Sequence, residues 1–68
     1  MKVSVAVLPG MGTRDVAVGA SATVADALNA AGQSSEGFTV TVEGIQADLS
    51  TVIREGQRIL LTKNTKGN

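Results

Sequence analysis

Side chains able to do covalent or acid–base chemistry are few in this 68-residue chain and stand apart from one another. There is no Cys and no His, which removes thiol nucleophiles, disulfides, the usual zinc sites and every triad built on an imidazole base. The carboxylates Asp15, Asp26, Glu36, Glu43, Asp48 and Glu55 include no close sequence pair. General acid and base work would need two of them to converge in a cleft that so small a domain has little room to form. Gly10-Met11-Gly12 has the start of a dinucleotide fingerprint, but Asp15 stands where the third glycine belongs and a strand follows in place of a helix. No Gly-Lys-Ser/Thr follows either, so the glycines are read as a turn. The chain is expected to be no enzyme and to hold no cofactor or metal.

Composition narrows the partners as well. Six Lys+Arg balance six Asp+Glu, so no general pull toward nucleic acid or anionic membrane is expected. Phe38 is the only aromatic residue, too few for stacking single-stranded bases. No apolar run approaches the roughly 20 residues of a bilayer span, and Met1 to Leu8 alternates where a signal peptide would be continuously apolar. The expected location is the cytoplasm, and the expected partner is another protein.

The elements that would position such a contact are legible from hydrophobic spacing. Val3, Val5 and Val7 alternate with Lys2, Ser4 and Ala6, which predicts a half-buried strand over Lys2 to Leu8. Pro9-Gly10-Met11-Gly12 reverses the chain, and Arg14 to Val18 returns with Val16 and Val18 inward, completing a hairpin. Leu8 and Met11 near its tip are exposed candidates for partner contact. Thr23-Val24-Ala25-Asp26 has capping-box spacing, with Thr23 as N-cap. Val24, Ala27, Leu28 and Ala31 then form one apolar stripe of a short helix that Gly32 stops. Phe38 to Glu43 predicts a third strand with Phe38, Val40 and Val42 inward, turned by Gly44. Ile45 to Ser50 reads as irregular or as a very short strand. Leu49, Val52 and Ile53 are spaced like one turn of 3₁₀ or α structure, and Glu55-Gly56 reverses the chain. Arg58 to Lys63 is the last strand, with Ile59 and Leu61 on one face and Leu60 on the other. The economical arrangement is an α+β fold in which one helix crosses a mixed sheet whose first and last strands lie side by side.

That order resembles the ubiquitin-like β-grasp, and within it the small sulfur carriers of thiamin and molybdopterin synthesis, the ThiS and MoaD type. The residues carrying the likeness are Lys2-Val3-Ser4-Val5, the helix start Thr23-Val24-Ala25-Asp26-Ala27-Leu28, the turn approach Val40-Thr41-Val42-Glu43-Gly44, and Val52-Ile53-Arg54-Glu55-Gly56-Gln57-Arg58-Ile59-Leu60-Leu61. The resemblance implies a mixed sheet of four to five strands, ββαβ(β), with one packed helix. It also implies a β-grasp domain over 1–62 and a flexible C-terminal tail over 63–68.

In that family the tail ends in Gly-Gly, whose carboxylate is adenylated and then converted to a thiocarboxylate or an isopeptide. Here Gly67 holds the penultimate place and Asn68 the last. A chain without Cβ threads a narrow channel, whereas Asn68 adds a side chain whose amide nitrogen lies within reach of its own activated carboxyl and can close a five-membered imide. Arg58, Lys63 and Lys66 are expected to make the tail end basic, a feature that steers it toward an acidic channel or keeps it soluble.

Leu60 is expected on the open sheet face near Ala6 or Ala17, with Thr39, Thr41 and Thr62 around it. The residues expected to meet a partner are therefore Leu60, Thr62, Lys63, Lys66, Gly67 and Asn68. The first functional reading is a non-catalytic interaction module using the open face and the tail. The alternative is a ThiS/MoaD-type carrier or protein modifier, with an adenylating enzyme or a synthase large subunit as partner. A swapped-hairpin DNA-binding factor, suggested by Val52 to Leu61, is opposed by the neutral net charge and the Pro-Gly hairpin.

Overall fold

A computed structural model describes residues 1–8 and 12–63. The elements run β1 (Lys2–Leu8), β2 (Gly12–Ala17), α1 (Val24–Ala31), β3 (Phe38–Val42), β4 (Ile45–Gln46) and β5 (Arg58–Lys63). They form one five-stranded sheet in the order β2-β1-β5-β3-β4. The chain's first and last strands, β1 and β5, pair in parallel at the centre, and the other pairings are antiparallel.

Alternation decides the faces. Val3, Val5 and Val7 of β1, Val40 and Val42 of β3, and Ile59 and Leu61 of β5 are all buried beneath the helix. The helix contributes Val24, Ala27, Leu28 and Ala31, the full stripe expected from the sequence. Phe38 and Val18 pack against this core while remaining half-buried. An eight-residue helix is marginal alone in water, so α1 depends on this burial and on its caps.

Both caps follow from sequence. Thr23 Oγ1 accepts from the Asp26 backbone N–H at 3.4 Å, while an Asp26 carboxylate oxygen accepts from the Thr23 N–H at 3.0 Å. The capping box is thus complete with Asp in the place usually held by Glu or Gln. At the other end Gly32 adopts φ 69°, ψ 30°, the left-handed conformation in which a Cβ is unfavourable, and its N–H returns to the last turn.

The stretch between β4 and β5 differs from expectation. Leu49, Val52 and Ile53 do not form a helical turn. Asp48 Oδ1 instead accepts from Ser50 N, Ser50 Oγ and Thr51 Oγ1, folding a tight turn at 48–51. The chain then extends, with Val52 bridging Thr23. The carbonyls of Thr51 and Leu49 accept from Val24 and Ala25, two N–H groups at the start of α1 that have no partner within the helix. A helical turn at 49–53 would withdraw those carbonyls. Glu43 also departs from the strand assigned to it: β3 ends at Val42, and Glu43 (φ 52°) with Gly44 (φ 84°) makes the two-residue turn that joins Val42 to its partner Ile45.

Candidate functional site

The sheet face turned away from the helix carries the side chains left over by the core's alternation. In the middle row Leu60 is flanked by Ala6 on β1 and Thr41 on β3, with Thr13 of β2 beyond Ala6. Thr41 Oγ1 approaches the Leu60 carbonyl at 3.5 Å. In the row toward the end of β5, Thr62 is flanked by Leu8 and Thr39. Leu60 is half-buried, Ala6 is buried, and Leu8 is 46% exposed. Leu8 therefore joins Leu60 on one weakly polar surface, a link that loop position alone does not disclose.

The opposite end of the same face is charged. Ser4 donates to Asp15 at 2.9 Å. The Glu43 carboxylate accepts from the Arg58 N–H at 2.7 Å, while the Glu43 N–H donates to the Arg58 carbonyl at 3.0 Å. Glu55 accepts from the Lys2 N–H at 3.1 Å. A shallow depression of about 520 Å³ lies here, lined by Ser4, Glu43, Gly44, Gly56, Arg58 and Leu60. The face thus grades from a charged end to an apolar and threonine-rich end.

Two sequence expectations are corrected by this geometry. Ala17 is not a neighbour of Leu60, because it pairs with Lys2 at the other end of β1. Arg58 does not join Lys63 at the tail end. They stand at opposite ends of β5, five residue steps or roughly 17 Å apart. Arg58 belongs with Glu43 and Ser4, so the basic end reduces to Lys63 among the described residues. Thr62 and Lys63 are exposed, with Lys63 in register with Phe38. Lys66, Gly67 and Asn68 lie outside the described residues, as do Pro9, Gly10 and Met11.

Among the described residues no group of three or more Asp or Glu side chains is placed to hold a metal ion. No helix there is long and apolar enough to cross a membrane. The Asp48 carboxyl is held below its ordinary pKa chiefly by hydrogen bonds from Ser50 and then Thr51. Those bonds belong to the turn described above, so the shift has a structural cause.

No protein-family model and no curated protein matches the sequence. Solved structures do match. SAMP1 from Haloferax volcanii superposes with a TM-score of 0.82 at 21% identity, covering 100% of both chains. A second crystal structure, of the H. volcanii small archaeal modifier protein 1, gives 0.80 at 21% identity, over 94% of this chain and 98% of that one. With a five-stranded mixed sheet, one helix across it and agreement along the whole length, the chain has the ubiquitin-like β-grasp fold expected from its likeness to the ThiS and MoaD carriers.

Proposed function

We propose that this chain is a ubiquitin-like modifier or sulfur carrier, itself without catalytic activity, whose C-terminal carboxylate is activated by an adenylating enzyme in the cytoplasm. The observation that carries the reading is the extent of the match: a protein named as a small archaeal modifier superposes on 94% of this chain and 98% of its own. In the proposed chemistry a terminal carboxylate attacks the α-phosphorus of ATP and releases pyrophosphate. A sulfur or amine nucleophile then displaces AMP from the acyl-adenylate. Gly67 suits this step because it lacks a Cβ. Asn68 does not suit it, so the active form is proposed to end at Gly67. The weakly polar face bearing Leu60, Leu8 and Thr62, with Lys63 beside it, is proposed to seat the adenylating enzyme or the synthase subunit.

A second reading is favoured by the weakly polar open face, where Leu60 and Leu8 stand among threonines: an interaction module that binds a protein partner through that face and has no activated terminus. One experiment separates the two. The chain ending at Asn68 and the chain ending at Gly67 are each incubated with ATP and the cognate adenylating enzyme, and intact masses are recorded. The carrier reading expects an adenylate on the Gly67 form and none on the Asn68 form. If neither form is activated while Leu60→Glu still abolishes partner binding, the module reading replaces it.

A further inference from the structure

The large apolar side chains most exposed to solvent are not on the Leu60 face. Ile45 is 73% exposed and Val52 59%, against 46% for Leu8. Ile45 stands opposite Val42 in the β3 and β4 pair, so it shares the helix side of the sheet, the side on which Val42 is buried. Its exposure means that α1 leaves this corner of the sheet uncovered. A depression of about 200 Å³ adjoins Ile45, bounded by Val42, Ala47 and Val52, and no charged side chain lines it.

β4 is the edge strand beside this corner. Ala47 N donates to the Val40 carbonyl at 3.0 Å, and Val42 and Ile45 close the two-residue turn, so Ile45 and Ala47 aim their backbone groups at β3. Gln46, between them, aims its N–H and C=O outward, where neither finds a partner among the described residues. An edge strand that pairs with its own copy about a two-fold axis normal to the sheet sets the central residue opposite itself and keeps each face on its own side. At β4 the centre is Gln46. The two Gln46 residues then exchange both backbone hydrogen bonds, and Ile45 of each copy falls opposite Ala47 of the other. Ile45 is thereby seated over the other copy's depression, beside Val52. No like charges meet there. At β2, the other edge, registers centred on the middle of the strand set Arg14 against Arg14 or Asp15 against Asp15, and like charges directly opposite are destabilising.

We propose that the β4 edge, with the corner formed by Ile45 and Val52, is an isologous contact surface for a second copy of this chain, joining two five-stranded sheets through the Gln46 pair. The contact is a weak one. A stable interface buries roughly 800 Å² on each partner, nearly a fifth of the 4357 Å² surface here. β4 has two residues and two exposed aliphatic neighbours, so a dissociation constant of roughly 0.1 to 1 mM is expected. The two-fold axis leaves both Leu60 faces open and turned the same way. β5 lies two strands from β4, roughly 10 Å across the sheet, so the contact does not depend on the C-terminal chemistry.

The test uses the full chain, ¹⁵N-labelled, diluted from about 2 mM to about 0.02 mM, a range that brackets the expected constant, while amide shifts and translational diffusion are followed. Diffusion is expected to slow at the concentrated end, with shifts at Ile45, Gln46, Ala47 and Val52. In a mixture of ¹³C-labelled and unlabelled chains, intermolecular contacts between the Ile45 and Ala47 methyl groups are expected, and this measurement leaves the protein unaltered. Ile45→Lys should weaken association about tenfold or more by setting a charge against the apolar corner. Its remaining amide shifts should match those of the dilute parent, which establishes that the variant is folded. Diffusion independent of concentration, methyl contacts absent in the mixture, or association unchanged in folded Ile45→Lys would overturn the proposal. Shifts centred on β2 or on Leu60 would overturn it too, by placing the contact elsewhere.

Discussion

Leu60 stands in register between Ala6 and Thr41, and the next residue, Leu61, stands between Val7 and Val40, so two adjacent leucines of β5 serve opposite faces of the sheet. Leu61 is wholly buried in the core, whereas Leu60 is only half-buried on the open face. Leu61→Ala is expected to destabilise by about 2 to 5 kcal/mol, the range for a core leucine. Leu60→Ala should cost about 1 kcal/mol or less, with a similar denaturant dependence. Urea midpoints of the two variants check the order, and equal losses would mean that the open face is covered.

Thr23 and Asp26 cap each other, so their contributions are coupled. Thr23→Ala is expected to cost about 1 kcal/mol and Asp26→Ala a comparable amount. Each mutation removes the same reciprocal pair, so the double variant should lose clearly less than the sum. Additive losses in a double-mutant cycle would show that the two side chains act separately.

Leu28→Ala tests the helix face itself. Leu28 is 3% exposed within the cluster of Val3, Val5, Val40 and Ile59. A loss of about 2 to 5 kcal/mol is expected. An unchanged unfolding midpoint would overturn the placement of the helix.

Those three sites were legible in the sequence because each rests on short-range spacing. The alternation of Val3, Val5 and Val7, the stripe Val24, Ala27, Leu28 and Ala31, and the Thr23 cap can all be recognised within eight residues. The segment 48–53 was not legible in the same way. Its spacing fits a helical turn, but its carbonyls serve the N–H groups of Val24 and Ala25, some 25 residues earlier in the chain. Ala6 shows a second limit, since alternation puts it on the outer face while Leu60 and Thr13 on either side leave it 8% exposed. The same limit applies to the site. Leu60 could be assigned its face and Arg58 its distance from Lys63 from β5 alone, but joining Leu8 to Thr62 required the register between strands.

Asp48 gives a pH dependence of definite sign. Hydrogen bonds from Ser50 and Thr51 lower its pKa in the folded chain. A carboxyl with a depressed folded pKa contributes stability above its unfolded pKa and loses it as pH falls through the folded value. The stability difference between the parent chain and Asp48→Asn should therefore be present at neutral pH and vanish on the acid side of the ordinary carboxylate range. Asp48 is fully exposed, so the effect should also shrink in high salt if longer-range charge contributes. Unfolding midpoints of the pair across acid pH decide it, and a difference independent of pH would show that the turn does not need the charge.

Gly44 and Gly19 should respond to the same substitution with opposite signs. Neither would bring a new Cβ within 4 Å of another group, so crowding is absent at both. The difference lies in the backbone. Gly44 holds φ +84° as the second residue of the tight turn between Val42 and Ile45, a conformation that L side chains resist. Glu43, the first residue of that turn, already holds φ 52° with a side chain, stabilised by its bonds to Arg58. Gly44→Ala should therefore cost about 1 kcal/mol or more, because no second set of bonds offsets the strain. Gly19 lies outside the left-handed region, and Gly19→Ala restricts mainly the unfolded chain, so a gain of about 0.4 to 1 kcal/mol is expected. Thermal unfolding of both variants measures the signs directly. A loss at Gly19 as large as that at Gly44 would mean that the 19–22 joint, where Ala22 N donates to the Gly19 carbonyl at 3.2 Å, relies on glycine for more than its allowed conformations.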